Sequence, residues 1–400
     1  MSLGKICDRI ADEPFRLFFP WGVVLALMGV LYWPLNLYHI AFTSFPIDFH
    51  VWLQIYGFLW SFIVGFLATA LPRLTETPHF SRREVGILFL LSLGIVSALC
   101  TSHIVWAHGF FTVALLVFVA QLAKRFVRRK KTPPATFIFI PFAFVSALLG
   151  SSMTIALQRG WNWHFEEVTI LARSLATLGF TSFLILGVGG FLIRSILGWG
   201  QPLPVSAQER MGTMPANKIS AVVLHGFVGL GIFASFVLDA FLITQWALVL
   251  RAVLISFELV TQIKIHKWPQ SGKITSVFLL VSLWLFLAGI WGTVFCPPDF
   301  RLAFLHLCFI GGFSLSVFSV ATRVILSHCG FSKLLNGSYR PFSIAGTFIL
   351  LGLLARFSAN FLPESYELHL AFGALAWVVG VLVWSFFILG KSIKDTLRAS

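Results

Sequence analysis

Charge is scarce in this chain. Of its 400 residues only 11% are Asp, Glu, Lys or Arg, and just 15 are acidic. A soluble globular domain carries about 25% charged residues, so a water-exposed fold of this length is excluded. Cysteine is scarce too. Cys7, Cys100, Cys296, Cys308 and Cys329 contain no Cys-x-x-Cys, which argues against a zinc ribbon and against c-type haem attachment. No two histidines are adjacent, which disfavours the catalytic subunit of a respiratory oxidase or nitric oxide reductase, where an adjacent core pair is needed. The Gly390-Lys391-Ser392 triplet lacks the first glycine of a phosphate loop, because Ser385 stands in its place and no strand precedes it.

Apolar and aromatic residues fill the chain instead: 58% hydrophobic, 44 Phe, 14 Trp and a mean hydropathy of +0.90. About 20 apolar residues cross a bilayer as a helix. Twelve such runs occur, at about 18–38, 50–71, 85–102, 104–123, 135–156, 168–192, 219–241, 244–264, 275–296, 303–325, 342–361 and 368–390. Only helices satisfy their backbone hydrogen bonds across this many spans. The expected fold is therefore all-α, a polytopic helical membrane bundle of about twelve transmembrane helices forming one domain over 1–400. A connection at about 193–218, with Pro202, Pro204 and Pro215, joins spans 1–6 (about 18–192) to spans 7–12 (about 219–390). The first span is too long for a cleavable signal and lacks a small-residue cleavage site.

The net charge of +14 is positional. All but five of the 29 Lys and Arg lie at the termini or in every second loop, including the cluster Lys124, Arg125, Arg128, Arg129, Lys130 and Lys131. Arg159 and Arg301 fall in the opposite loops, and Arg173, Arg251 and Arg356 inside spans. The positive-inside rule then puts both termini in the cytoplasm, and the basic balance no longer suggests nucleic acid. In this orientation Cys100, Cys296 and Cys308 fall near the outer face. One disulfide there stays open, with buried thiols favoured.

The eleven histidines sort by face. His39, His50, His103, His108, His164, His306 and His369 lie at or near the outer face; His79, His225, His266 and His328 lie on or nearer the cytoplasmic side. A single interfacial histidine needs no function. Several at the ends of different spans match the way haem and metal sites are built between facing helices, with imidazole as the ligand. His306 and His328 are 22 residues apart, about 33 Å along a helix, so they cannot share a metal. His103 and His108 do not share a helix face. Ligands must come from different spans, with His50, His103, His306 and His369 as outer-leaflet candidates. Arg251 and Glu258, seven residues apart near one helix face, are a second polar feature inside the membrane.

Three segments carry a resemblance: Pro14–Pro20 (PFRLFFP), Phe49–Thr75 (FHVWLQIYGFLWSFIVGFLATALPRLT) and His306–Gly330 (HLCFIGGFSLSVFSVATRVILSHCG). Together they resemble the NnrS family of bacterial inner-membrane proteins. That family has an aromatic-HAHEM-x-x-GF span, an A-V-P exit, and a later H…G-x-x-G…TR-x-x-x-GH-x-G helix. His50 corresponds to the first HAHEM histidine, Gly57 and Phe58 to GF, and Ala70-Leu71-Pro72 to the exit. His306, Thr322, Arg323, His328 and Gly330 correspond to the later helix. The resemblance implies a multi-pass inner-membrane protein linked to nitric oxide metabolism and nitrosative stress, with haem b and copper as cofactors. Nitric oxide or a redox partner would be its partners beside membrane lipid.

Trp52, Leu53 and Gln54 replace the second histidine, the glutamate and the methionine of HAHEM. The family's GGRxxP is reduced to Gly189-Gly190-Phe191-Leu192-Ile193-Arg194. The expectation is a haem held by His50 and His306, with His103 and His369 in reserve, and copper weakened or absent. Whether the chain is an enzyme, carrier or sensor stays open. The competing function is a secondary transporter using a polar path through Arg251 and Glu258, although no inverted repeat accompanies it.

Overall fold

A computed structural model describes residues 3–37, 40, 46–199, 216–242, 244–270, 273–337 and 339–398. His39 and residues 200–215 of the 193–218 connection lie outside them. The described residues are helical with no strand, and twelve helices are long and apolar enough to span a membrane. In order they are Phe15–Leu35, Ile47–Thr75, Arg82–Cys100, Ile104–Val127, Ala135–Gln158, Phe165–Leu197, Ile219–Phe241, Gln245–Ile263, Ile274–Phe295, Pro298–His328, Arg340–Ala359 and Pro363–Arg398, here spans 1 to 12.

The expected all-α twelve-span fold is thus what the chain forms. The differences lie at the ends. Spans 2, 6, 10 and 12 run 29, 33, 31 and 36 residues, well beyond the apolar runs. Their helices start three to five residues earlier and end three to eight later than the apolar runs, in polar sequence that hydropathy does not register. Asp48 sits in the first turn of one, Glu166 and Glu167 in that of another, and Pro298 and Asp299 open the single 3₁₀ turn that leads into span 10. Acidic residues favour a helix N-terminus and proline fits its first turn.

Local signals set other boundaries. Ser81 caps span 3, its hydroxyl accepting from the Glu84 N–H while Glu84 accepts from the Ser81 N–H, a reciprocal capping box. Span 10 stops at Gly330, whose φ of +77° suits a residue without Cβ. The Phe331 N–H then returns to the Leu326 carbonyl at 2.8 Å.

The residues gather into two compact units, one of 1–70, 79–104 and 272–400, the other of 71–78 and 105–271. The first centres on an aromatic cluster. Phe58 stacks on Phe318 (5.6 Å between ring centres), Phe318 meets Trp384 at 4.9 Å and Phe19 stacks on Phe62 at 4.6 Å. The indoles carry their own hydrogen bonds: Trp384 Nε1–H donates to Thr322 Oγ1 (2.8 Å) and Trp377 Nε1–H to Ser314 Oγ (3.2 Å). Trp384→Phe keeps an aromatic ring but removes the N–H given to Thr322, whose hydroxyl still donates to the Phe318 carbonyl at 2.7 Å; a loss of about 1 kcal/mol is expected, read as a small fall in the detergent melting temperature. Spans 11 and 12 approach closely where Gly352 faces Gly373, and a Cβ on Gly352 would meet the Gly373 carbonyl at 2.7 Å. Small residues permit such close crossings in membranes.

At the end of this unit where both termini lie, Arg16 ties the chain ends together. Its buried guanidinium pairs with Glu13 at 2.5 Å and with Asp395 at 2.9 Å, and donates to Thr396 Oγ1 at 2.9 Å. Glu13 also accepts from His328 Nδ1 at 2.8 Å. Arg16→Met removes one cation from each carboxylate, with His328 still beside Glu13 and Arg9 still beside Asp395. Both carboxylates are partly solvated, so the expected loss is about 2 kcal/mol, measured by thermal unfolding in detergent. All five cysteines are free thiols. Cys329, buried beside this network, has its thiol pushed up to about 11, chiefly by burial. At pH 8 exposed Cys7 should alkylate first and Cys329 only on unfolding.

The second unit holds spans 5 to 8 and most of span 4. Gly150 lets span 5 lie on span 6, since a Cβ there would sit 2.6 Å from the Ala172 carbonyl. Spans 7 and 8 are joined by two polar links. Arg251 pairs with Asp239 at 3.2 Å and covers the Phe236 ring at 3.8 Å, while His225 Nδ1 and Glu258 Oε1 meet at 2.9 Å with both side chains buried. Arg251 and Glu258, grouped above by helical spacing, therefore have separate partners. The turn of π-helix that begins at Glu258 changes the helical phase after Arg251.

Candidate functional site

The candidate ligands lie in the first unit, at the end where spans 2, 10 and 12 begin. The longer helices place His50 one turn inside span 2 and His306 about two turns inside span 10, deeper than the apolar runs suggest. Each directly precedes a π-helical stretch: Leu53–Leu59 follows His50 by three residues, and Leu307–Ser314 follows His306 at once. Wide turns of this kind are rare and recur at functional sites, because they re-aim side chains that a regular α-helix would carry elsewhere.

Both imidazoles are fixed in the same way. His50 Nδ1 lies 2.9 Å from the Gly29 carbonyl of span 1, and His306 Nδ1 lies 2.7 Å from the Leu302 carbonyl one turn earlier. A carbonyl oxygen only accepts, so each Nδ1 must carry the proton. In the neutral ring each Nε2 then keeps a lone pair and no hydrogen. This is the tautomer that imidazole adopts when Nε2 ligates a metal and Nδ1–H is held by the protein. The edge of Trp33, 5.5 Å from the His50 ring centre, closes one side.

Span 11 brings a cation to the same place. Its last turn packs on the first turns of span 10 through Phe357 on Phe304 (5.2 Å) and Phe361 on Phe300 (4.7 Å). Arg356 is thereby close enough to both His50 and His306 for their charges to interact, as are the two histidines with each other. The sequence left Arg356 unassigned. Its relation to the histidines depends on helix packing, for which a single chain offers no signal.

The remaining candidates separate. His369, one turn inside span 12, is hydrogen bonded through Nδ1 to Ser358 Oγ at 2.8 Å, which pins span 12 to span 11. His103 stands exposed in the turn before span 4, and its imidazole makes no hydrogen bond among the described residues. Gly57 lies within the π-helical stretch, where a Cβ would come within 3.1 Å of Leu25. Pro72 falls inside the last turns of span 2, which continues to Thr75. Arg323 and His328 lie toward the far end of span 10, away from His306. His328 belongs to the Arg16 network, whereas the buried Nη1 of Arg323 has no hydrogen-bond partner among the described residues.

The NnrS protein family profile matches residues 9–391. The chain belongs to the NnrS family. The match takes in all three segments that carried the resemblance, and with the twelve spans it makes the chain a multi-pass membrane protein. Among curated proteins none matches it.

The donor set of this NnrS member can be weighed against the two cofactors the family implies. Two neutral imidazoles on facing spans, each with a free Nε2, fit the iron of a b-type haem. Copper fits poorly. Trp52, Leu53 and Gln54 supply no imidazole, carboxylate or thioether where the family pattern has them, and Gln54 is turned to span 1, donating to the Ala26 carbonyl at 3.1 Å. Among the described residues no three His, Cys, Asp or Glu side chains group as a metal site.

Proposed function

We propose that this NnrS-family protein is a haem-binding protein of the bacterial inner membrane that acts in nitric oxide metabolism or the response to nitrosative stress. His50 and His306 would hold its iron, at the outer face, with both termini in the cytoplasm. One observation carries the reading: two histidines on different spans share the same tautomer, each with Nδ1–H held by a backbone carbonyl and Nε2 uncommitted. A structural histidine in an apolar helix has no need of that arrangement twice in one place.

A haem held there supplies one-electron chemistry and an iron with affinity for nitric oxide. The chain's own residues do the rest. The Gly29 and Leu302 carbonyls fix ring orientation and raise imidazole basicity. Trp33 packs on the His50 ring. The transporter reading draws less support, because its two charged residues are each engaged by a neighbour, Arg251 by Asp239 and Glu258 by His225.

The test is an optical spectrum and metal analysis of the purified protein. The expected result is a Soret band, haem b as the pyridine haemochrome near one per chain, and copper well below stoichiometric. A colourless protein from haem-replete cells would overturn the proposal.

A further inference from the structure

We propose that Arg356 is the carboxylate-binding residue of the His50–His306 site, its guanidinium taking a propionate of the haem while the two imidazoles take the iron. This rests on the haem reading above and extends it to a residue that no motif marks.

Three observations carry it. The first is an unmet charge. Arg16 pairs with Glu13 and Asp395, and Arg251 with Asp239. Half-buried Arg356 donates only to the neutral Asn360 Oδ1, at 2.6 Å, with no carboxylate against it among the described residues. A cation at membrane depth is unfavourable unless an anion meets it. The second is position. The Phe304–Phe357 and Phe300–Phe361 contacts and the Ser358–His369 hydrogen bond fix the last turn of span 11 against spans 10 and 12. They bring the last turn of span 11, and Arg356 with it, to the end of span 10 that carries His306.

The third is chemistry. Neither imidazole can supply an anion, and each Nδ1–H is already held by a carbonyl, so the anion has to come from the ligand. Haem b carries two carboxylates at one edge of a planar ring, and the guanidinium fork is the side-chain group that matches a carboxylate in two parallel hydrogen bonds. Charge balance agrees. A ferric porphyrin core is singly positive, its propionates are doubly negative, and one arginine brings the sum to zero.

The experiment compares wild type, Arg356→Gln and Arg356→Lys, each loaded with haem b or with haem b dimethyl ester, whose carboxylates are masked. Two quantities are read: the rate of haem transfer to apomyoglobin and the midpoint potential. With haem b, Arg356→Gln should release haem about tenfold faster and titrate at lower potential, because loss of a nearby positive charge disfavours the ferrous form. Arg356→Lys should fall between. With the dimethyl ester, wild type and Arg356→Gln should release the haem at the same rate, while the shift in potential caused by the lost charge stays. Should Arg356→Gln fail to elute as a monodisperse species, wild type alone decides, since it should lose the ester about tenfold faster than haem b. Equal release with haem b, or a difference in release that persists with the ester, would overturn the role of Arg356 while leaving the haem site standing. A wild type that takes up neither form would overturn both.

Discussion

His50→Ala and His306→Ala should each remove the six-coordinate haem spectrum, and the double variant should remove the haem. Both side chains are only half-buried, so truncating either leaves a small gap rather than a core cavity, and the chain should still fold. Losing one ligand leaves the iron with a single imidazole. The expected product is a high-spin spectrum with retention lowered by at least tenfold. Rescue of His306→Ala by added imidazole would separate loss of the ligand from loss of the fold. His103→Ala, at an exposed turn, should change neither quantity, and His369→Ala should soften the span 11–12 contact without altering the spin state. Haem content per chain and the ferric optical spectrum read all five variants.

The second large effect is expected far from that site, at the buried pair of spans 7 and 8. His225→Leu removes the one polar partner that Glu258 has among the described residues, leaving a buried carboxyl group at 2% exposure. Breaking such a pair by removing one member typically costs 3–5 kcal/mol. Part of this is recovered when the carboxyl takes a proton, so about 3 kcal/mol is expected here. His225→Leu combined with Glu258→Leu should regain most of the loss, because an apolar pair needs no compensation. Reversible unfolding in mixed micelles measures both. If His225→Leu proved neutral, the 2.9 Å contact would be incidental.

The sequence carries the large features of this protein because they rest on strong physics. Hydrocarbon thickness sets the twelve spans, and nearly all described span centres fall within the apolar runs. His50 and His306 stand out in the chain because imidazole is an uncommon choice in an apolar helix. What stays hidden follows from geometry. The helix starts of spans 2 and 10 lie in polar sequence, which moves both histidines inward by a turn or more. The π-helical stretches at Leu53–Leu59 and Leu307–Ser314 have no compositional mark, since either sequence is an ordinary apolar helix by pattern. Helical spacing joined Arg251 to Glu258, while the fold gives them Asp239 and His225, each supplied by the neighbouring span. Arg356 meets His50 and His306 only through the packing of span 11.

The central claim is that two imidazoles, and no other pair of groups, ligate one iron. Near-infrared magnetic circular dichroism of the ferric wild-type protein tests it most directly, because the charge-transfer band reports the axial pair itself. The account predicts a bis-imidazole band that is lost in both His50→Ala and His306→Ala. A histidine–methionine or high-spin signature in the wild type, or a bis-imidazole band that survives either substitution, would contradict it.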